Sequence, residues 1–554
     1  MNRTSAIAGF ILLIIISVVI YPGMAQNAFQ KIYTTDYDVE CFGAYQETDG
    51  GYMITGVAQT GTTQYNVFMT RTDCHGAILW SKSYNSSSTI GNISQRVVET
   101  HDHGFLLAAS IGFYGSYNIL LVRTDADGNA LWKKIMQGSG DDLVNSVVET
   151  ESHDYIIAGT TSSYGEDAGS FYKDIYLMKV DDDGNFIWGK TYGTAGNYDE
   201  AFDVIETYDG HYAATGRYIT SGAFHCFLLK TDADGDMIYM KAFGDTLHNV
   251  TGYAIANTFD GGYIITGSST LTKDSYLDYP DEFLIKTDAA GDTLWCKSYH
   301  GSNIDGSENG SSVIVLNDGS YAIGVATFSY PSVGFVPNKH CVLKTDAEGN
   351  MEWLKAYNKG GSHYPYLTTA KGESGFVLSG FTNFYVPHLS PMIIKLDENF
   401  DSGCNETDYT GFTYQEYMPA KVKTPVVQFG SGGSLINTTM EEAFAMSDTM
   451  LCSSFSDSCM VFTAVEQLPE HLTLLNVYPN PASENISIEF FSLKEQEAGI
   501  EIINELGENV RSFSKNLSAG KNVVHVDIGY FPSGVFVLKI KSGEKYSVRK
   551  FFKE

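Results

Sequence analysis

Residues Thr124 to Trp132 read T-D-A-D-G-N-A-L-W, and the pattern they carry, Asp-x-x-Gly-x-x-x-aromatic, decides the fold. The pattern starts at Asp73, Asp125, Asp181, Asp232, Asp288 and Asp346, with aromatics Trp80, Trp132, Trp188, Tyr239, Trp295 and Trp353. A damaged seventh copy starts at Asp397. The steps between copies are 52, 56, 51, 56, 58 and 51 residues. A period of this size marks a solenoid, a propeller or an array of repeats.

Working outward from one copy, residues 202–244 resolve into four short runs. F-D-V-I-E-T alternates as a half-buried strand does, and Y-D-G-H is a turn. Y-A-A-T-G is a second strand, ended by Gly216, and H-C-F-L-L-K-T is a third. D-A-D-G then turns into D-M-I-Y-M-K-A-F, the fourth. Short runs parted by Gly/Asp turns predict antiparallel hairpins, and four strands in about 50 residues make one propeller blade. The third run is nearly all apolar in every repeat, as in N-I-L-L-V-R-T and D-I-Y-L-M-K-V. That suits a strand buried on both faces.

The ends of the array set the blade number. The seventh repeat runs through M-I-I-K-L-D-E-N-F-D and stops without the W-x-K-x-Y strand. An orphan strand, F-Q-K-I-Y, stands at 29–33. Phe29 to Tyr33 is therefore expected to be the outer strand of blade seven, closing the ring and removing an exposed edge. The predicted fold is all-β: a seven-bladed β-propeller over residues 26–403, closed by an N-terminal strand. An open solenoid would leave the orphan strand unexplained.

Composition fits this reading. The chain has 554 residues, 43% of them hydrophobic, with 36 Tyr, 32 Phe and 55 Gly, which favours strands and turns. Its net charge of −31 argues against nucleic acid, whose phosphates require clustered Lys and Arg. Arg3, the apolar run from Ala6 to Ile20 and Gly23-Met24-Ala25 predict a secretory signal peptide over residues 1–25. The run is short for a membrane span, and none is predicted in the mature chain. Eight cysteines allow disulfides; Cys452 and Cys459 are close enough to close a short loop, and buried free thiols suit most of the others.

Residues 404–471 lack the cassette and read as an extension, either irregular or built from extra strands. Composition changes again near Leu472, from where residues 472–554 balance ten Lys/Arg against ten Asp/Glu. Runs such as I-S-I-E-F-F, G-I-E-I-I-N and V-F-V-L-K-I predict a small C-terminal β-sandwich there.

This tail resembles the C-terminal sorting domain of type IX secretion system cargo from Bacteroidota. The residues that carry the likeness are V-Y-P-N-P-A at 477–482, I-I-N-E-L-G-E-N-V at 502–510, L-S-A-G-K-N at 517–522, I-G-Y-F-P-S-G-V-F-V-L-K-I at 528–540 and the basic end Val548 to Lys553. The resemblance implies partners, the type IX translocon and sortase, and a destination, secreted or on the outer cell surface, anchored or released. The cassette D-x-x-G-x-x-x-W-x-K-x-Y-G resembles the repeats of the PQQ-like, or quinoprotein-dehydrogenase-like, propellers, a likeness of fold alone.

No catalytic constellation stands out. Trp recurs once per blade at one position, which is packing between blades rather than a cofactor stack. Sialidases carry an Asp box of different spacing and an arginine cluster for a carboxylate. Here Asp125 lies three residues before Gly128, and the body holds only Arg71, Arg96, Arg123 and Arg217. The paired Asp residues of the cassettes could meet calcium but lack the spacing of an EF-hand loop, and a Gly-centred hairpin turn accounts for them. Histidines, among them His101, His103, His211, His225 and His340, are scattered without metal-ligand spacing. The sequence thus assigns no catalytic, cofactor-binding or metal-binding residue and no cofactor. It points to a non-catalytic binding protein whose variable loops, 162–172 and 271–281, present aromatic and acidic groups to a glycan or protein ligand. The competing reading is a polysaccharide hydrolase or lyase with a carboxylate pair in the central channel.

Overall fold

The computed structural model describes residues 28–403 except 36–37, 60–64, 85–94, 166–167, 221, 271–279, 301–306, 328–338, 358–365, 370–374 and 383–387. It describes the backbone of short strands between 407 and 454 and at 472–478, and residues 485–553 except 493–494, 505–508, 519, 532–533 and 543–544. The predicted signal peptide lies outside these residues, as do the side chains of Cys452 and Cys459.

Every regular element among the described residues is a β-strand. Seven sheets share one plan of four antiparallel strands, consecutive along the chain in six of them. Numbered along the chain, sheets one to six take the strands within 39–84, 95–136, 142–193, 200–243, 250–300 and 308–356. Sheet seven takes Tyr366–Thr369, Phe376–Thr382 and Ser390–Leu396. Its fourth strand is Ala28–Thr34, which pairs with Ser390–Leu396 in the register Phe29 to Lys395 and Ile32 to Met392.

Second and third strands are buried along most of their length, and wholly in Tyr155–Thr161 and Asp281–Thr287, because they are covered on both faces. One apolar cluster joins Ile156, Ala158 and Leu177 of sheet three to Tyr212, Ala214 and Phe227 of sheet four, and its counterparts recur from sheet to sheet. Gly216 does not end its strand, which runs on through Thr220. It lies opposite a bulge between Ala201 and Asp203, where a Cβ would collide with the Glu200 carbonyl oxygen. Gly159 and Gly267 meet the same constraint at the carbonyls of Leu143 and Thr251. The missing side chain admits the bulge rather than stopping the strand.

The cassette makes the contact between sheets. Asp125 Oδ1 accepts the backbone N–H of Asp127 (3.0 Å) and Asn129 (2.8 Å), which fixes the turn. Gly128 sits at φ +75° with the Trp80 ring of the preceding sheet against it; a Cβ would lie 2.6 Å from that ring. Trp132 packs in the same way on Gly184, Trp188 on Gly235, Tyr239 on Gly291 and Trp295 on Gly349. The W-x-K-x-Y strand completes the contact. Tyr84 donates to the Gly128 carbonyl (2.7 Å) and Lys82 to Asn129 Oδ1 (2.7 Å). Tyr299 and Lys297 do the same to Gly349 and Asn350.

The damaged copy keeps this geometry. Phe400 replaces the glycine yet holds φ +62°, its ring stacked on Phe376 at 4.0 Å and edge-on to Trp353 at 5.2 Å. Tyr357 donates to the Phe400 carbonyl (2.9 Å). The strand from the start of the chain does likewise to sheet one. Phe29, Lys31 and Tyr33 surround Gly76, and Tyr33 donates to the Gly76 carbonyl (3.0 Å).

The extension is built from strands. Thr407–Asp408, Thr413–Glu416, Val427–Phe429, Leu435–Asn437, Glu442–Ala443 and Ser447–Ser454 pair antiparallel with the outer strands of sheets six, five, three, two, one and seven, in that order. It therefore runs back past the sheets against chain order and covers their outer edges, which would otherwise present unpaired backbone. Sheet four has no fifth strand among the described residues. Cys41, Cys226, Cys296 and Cys341 are buried and free, whereas Cys74, in the turn of the first cassette, is disulfide-bonded.

The tail folds into two sheets, one of three strands and one of four. Ile488, Phe490, Val524 and Val526 of the first share a buried core with Ile500, Ile502, Leu538 and Ile540 of the second. Burial alternates along Gln496–Asn504, as expected of a sandwich with one wet face.

Candidate functional site

In an antiparallel four-stranded sheet the first and third connections leave at one edge, and the second connection and the link to the next sheet leave at the other. All cassette turns therefore lie on one edge, and the variable loops lie on the opposite one. On the loop edge of sheets two to four, large apolar side chains stand in solvent. Phe113 is 64% exposed, Tyr114 75% and Phe171 80%. Tyr172 packs edge-on against Tyr198 at 5.5 Å, joining a loop of sheet three to its link with sheet four, and both rings remain exposed.

Buried carboxylates pin the feet of these loops. Asp141 Oδ1 accepts the Tyr117 N–H (3.0 Å), tying sheet two to sheet three. Asp142 accepts the hydroxyls of Thr161 (2.5 Å) and Ser163 (2.8 Å), and burial pushes its pKa up to about 6 against those two hydrogen bonds. Asp199 accepts the N–H groups of Thr194 (2.8 Å) and Ile219 (3.0 Å). The loops thus stand on hydrogen-bonded supports while their aromatic tips face water, an arrangement that limits the entropy lost on binding. The predicted loop 162–172 holds Phe171 and Tyr172; residues 271–279 of the other predicted loop lie outside the described residues.

The first strands of all seven sheets line a cavity of about 350 Å³. Gly43, Arg96, Ser146, Asp203, Ala254, Ser312 and Tyr366 contribute to its wall from one strand each. Among the described residues Asp203 is its one carboxylate. Enclosure raises the Asp203 pKa, but the carboxylate is occupied by Ser146 Oγ (2.8 Å) and the N–H groups of Val204 and Ile255 (3.0 Å each). Arg96 donates to the Phe42 carbonyl (3.0 Å), and its guanidinium lies 5.1 Å over the Tyr366 ring. A glycosidase needs two carboxylates flanking the scissile bond, and these lining residues do not supply them.

A carboxylate pair exists elsewhere. Glu282 and Glu308, from sheets five and six, are buried and repel each other. Burial first, and the Glu308 charge second, hold the Glu282 pKa well above the usual range. Neither group reaches solvent.

The arginines have structural partners. Arg71 pairs with Glu47 (2.8 Å) and Asp49 (2.6 Å), and Arg123 with Asp102 (2.6 Å) and Asp182 (3.3 Å). Lys230 and Lys286 make the equivalent pairs with Asp209 and Asp260. His225 and His340 are buried, and burial drives the His340 pKa down to about 3, keeping it neutral. One juxtaposition escaped the sequence: His101 meets His153, a residue that stood out in no motif, across two sheets.

Residues 476–554 match the family described as secretion system C-terminal sorting domain. The match supports a type IX secretion C-terminal sorting domain in the tail. No curated protein matches the chain. Among solved structures the chain is similar to a mutant NanB sialidase from Streptococcus pneumoniae, at 13% identity and a TM-score of 0.37, over 68% of this chain and 69% of that one. It is also similar to a mutant apocarotenoid oxygenase from Synechocystis, at 13% identity and a TM-score of 0.34, over 74% and 93%. No helix among the described residues is long and apolar enough to cross a membrane.

Proposed function

We propose that the chain is a type IX secretion cargo in which residues 26–403 form a closed seven-bladed propeller that binds a ligand through its loop edge, without catalysis. In this reading residues 404–471 girdle the ring, and residues 472–554 are the address read by the translocon and sortase, delivering the protein to the outer surface or the medium. Closure is supported by Tyr33 and Gly76, which repeat the contact that Tyr84 makes with Gly128, and by a cavity walled by all seven first strands. The quinoprotein-like character of the cassette bears on the scaffold, since its aromatics pack on the next sheet's glycines.

The observation that carries the binding function is the exposed group Phe113, Tyr114, Phe171, Tyr172 and Tyr198 on pinned loops. A patch of large aromatics is costly to leave in water and suits the apolar face of a sugar ring or a protein surface. The test is a glycan and surface-protein binding screen of the mature chain beside its Phe171→Ala/Tyr172→Ala variant. Binding that the variant loses supports the proposal. Binding that is indifferent to the variant, or turnover of a polysaccharide by the mature chain, overturns it.

A further inference from the structure

On the cassette edge, away from the loops, the first turns of sheets two and three bring two histidines onto one carboxylate. His101 Nδ1 lies 2.8 Å from Glu149 Oε1, and His153 Nδ1 lies 3.7 Å from the same oxygen. The imidazoles stack at 3.9 Å with 28° between their planes. All three donor atoms lie within 4.8 Å of one another. Glu149 is mostly shielded while both rings are open to water.

The repeat explains Glu149 and leaves the histidines over. In three successive sheets a glutamate caps the preceding sheet's first turn. Glu99 accepts the N–H of Thr48, Glu149 that of His101 (3.2 Å) and Glu206 that of Glu151 (2.8 Å). The cap needs no imidazole at the turn, since Thr48 and Glu151 stand where His101 does. His153 stands where sheets one, four, five and six have Gly50, Gly210, Gly261 and Gly319, all at positive φ, and where sheet two has His103, also at positive φ; only His153 is joined by a second imidazole on its glutamate. It holds φ +65°, a conformation that residues with a Cβ seldom adopt.

We propose that His101, Glu149 and His153 bind a divalent cation of the Zn²⁺ type, with further coordination positions left to water. Two imidazoles and a carboxylate suit Zn²⁺ and its neighbours rather than Ca²⁺, which takes oxygen donors. Ligands of a tetrahedral zinc stand roughly 3.3 Å apart, given bonds of about 2.0–2.1 Å. Small rotations of two exposed rings bring the three atoms to that spacing. The cation would take the place of the direct contact between His101 Nδ1 and Glu149 Oε1, and would tie the first turns of sheets two and three together.

The repeats provide substitutions the fold already accepts: His153→Gly, as in Gly210, and His101→Thr, as in Thr48. The test is a calorimetric Zn²⁺ titration of the mature, untagged chain at neutral pH, with Co²⁺ absorption as a second readout and thermal unfolding to confirm that both variants fold. One saturable site is expected. Each variant should weaken it by roughly 100-fold or more, since even partners beyond the ligands are worth 10–100-fold. The same preparation should show no comparable Ca²⁺ site. Absence of a saturable Zn²⁺ site in the unmodified chain overturns the proposal, as does unchanged affinity in both variants or tighter binding of Ca²⁺.

Discussion

The two edges of the repeating sheets obey different rules. On the cassette edge the junctions repeat an Asp-fixed turn and a left-handed residue under an aromatic ring, and at five of them a tyrosine hydroxyl reaches that residue's carbonyl, Met136 and Phe243 standing at the tyrosine position of the other two. On the loop edge the junctions differ in length and composition, and side chains such as Phe171 and Tyr114 that would be core elsewhere stand in water. Sequence identity among the copies therefore marks load on the scaffold, and sequence difference marks the edge to which the proposed binding is assigned.

Glycine gives the strongest way to break this comparison, because both edges use it in one conformation. Gly128 has φ +75°, and a Cβ there would lie 2.6 Å from the Trp80 ring, whereas Gly169 has φ +79° and a Cβ there would meet nothing within 4 Å. Gly128→Ala adds overpacking to the backbone cost and should destabilise by about 2–4 kcal/mol. Gly169→Ala bears the backbone cost alone, about 1 kcal/mol. Urea unfolding of the two variants measures the difference. Equal losses would show that the ring stacked on the turn contributes nothing.

The next effect concerns a buried charge. Glu282 has its pKa raised by burial and by Glu308, so the folded chain holds a proton that the unfolded chain releases. Folded stability from this group is full at acid pH and is lost as pH rises from the ordinary glutamate range toward the raised value. Glu282→Gln should thus raise stability at pH above neutrality by about 1–3 kcal/mol, with the gain vanishing in acid. Melting temperatures of both proteins across that range check it; a gain largest in acid would reverse the assignment.

Much of this organisation was legible in the chain. The step length and the missing W-x-K-x-Y placed the strand at Ala28–Thr34 in sheet seven, because the cassette is read locally and its absence is as visible as its presence. Gly216 misled, since a glycine that ends a strand and one that admits a bulge look alike until the opposite carbonyl is in place. The extension hid its strands, several only two to four residues long, which are too short to show a period. His101 and His153 are joined by stacking of sheets and by no spacing along the chain, and no ligand motif could have announced them.

The proposed closure of the ring makes a finer prediction. Tyr33→Phe removes the hydroxyl that reaches the Gly76 carbonyl, and Tyr299→Phe removes the one that reaches Gly349. Each leaves a buried carbonyl short of a partner, at a cost of about 1 kcal/mol. Equal losses by chemical denaturation are the signature of a first strand that holds sheet one as Tyr299 holds the next sheet. A neutral Tyr33→Phe beside a costly Tyr299→Phe would mean that the chain's first strand is not held against sheet one in solution.

The smallest effect on stability should be the largest on binding. Phe171 and Tyr172 rise from a loop whose supports, Asp142 and Asp199, lie below them and are untouched by truncation at the tips. Phe171→Ala/Tyr172→Ala removes exposed surface and should shift unfolding by less than about 0.5 kcal/mol. The same change in one of the turns that face a neighbouring sheet would remove a buried contact. If the double variant unfolds as the parent does and loses its ligand, the two edges divide the work as their sequences suggest. If it instead melts early, the aromatic tips are packing groups, and recognition has to be sought on a different part of the surface.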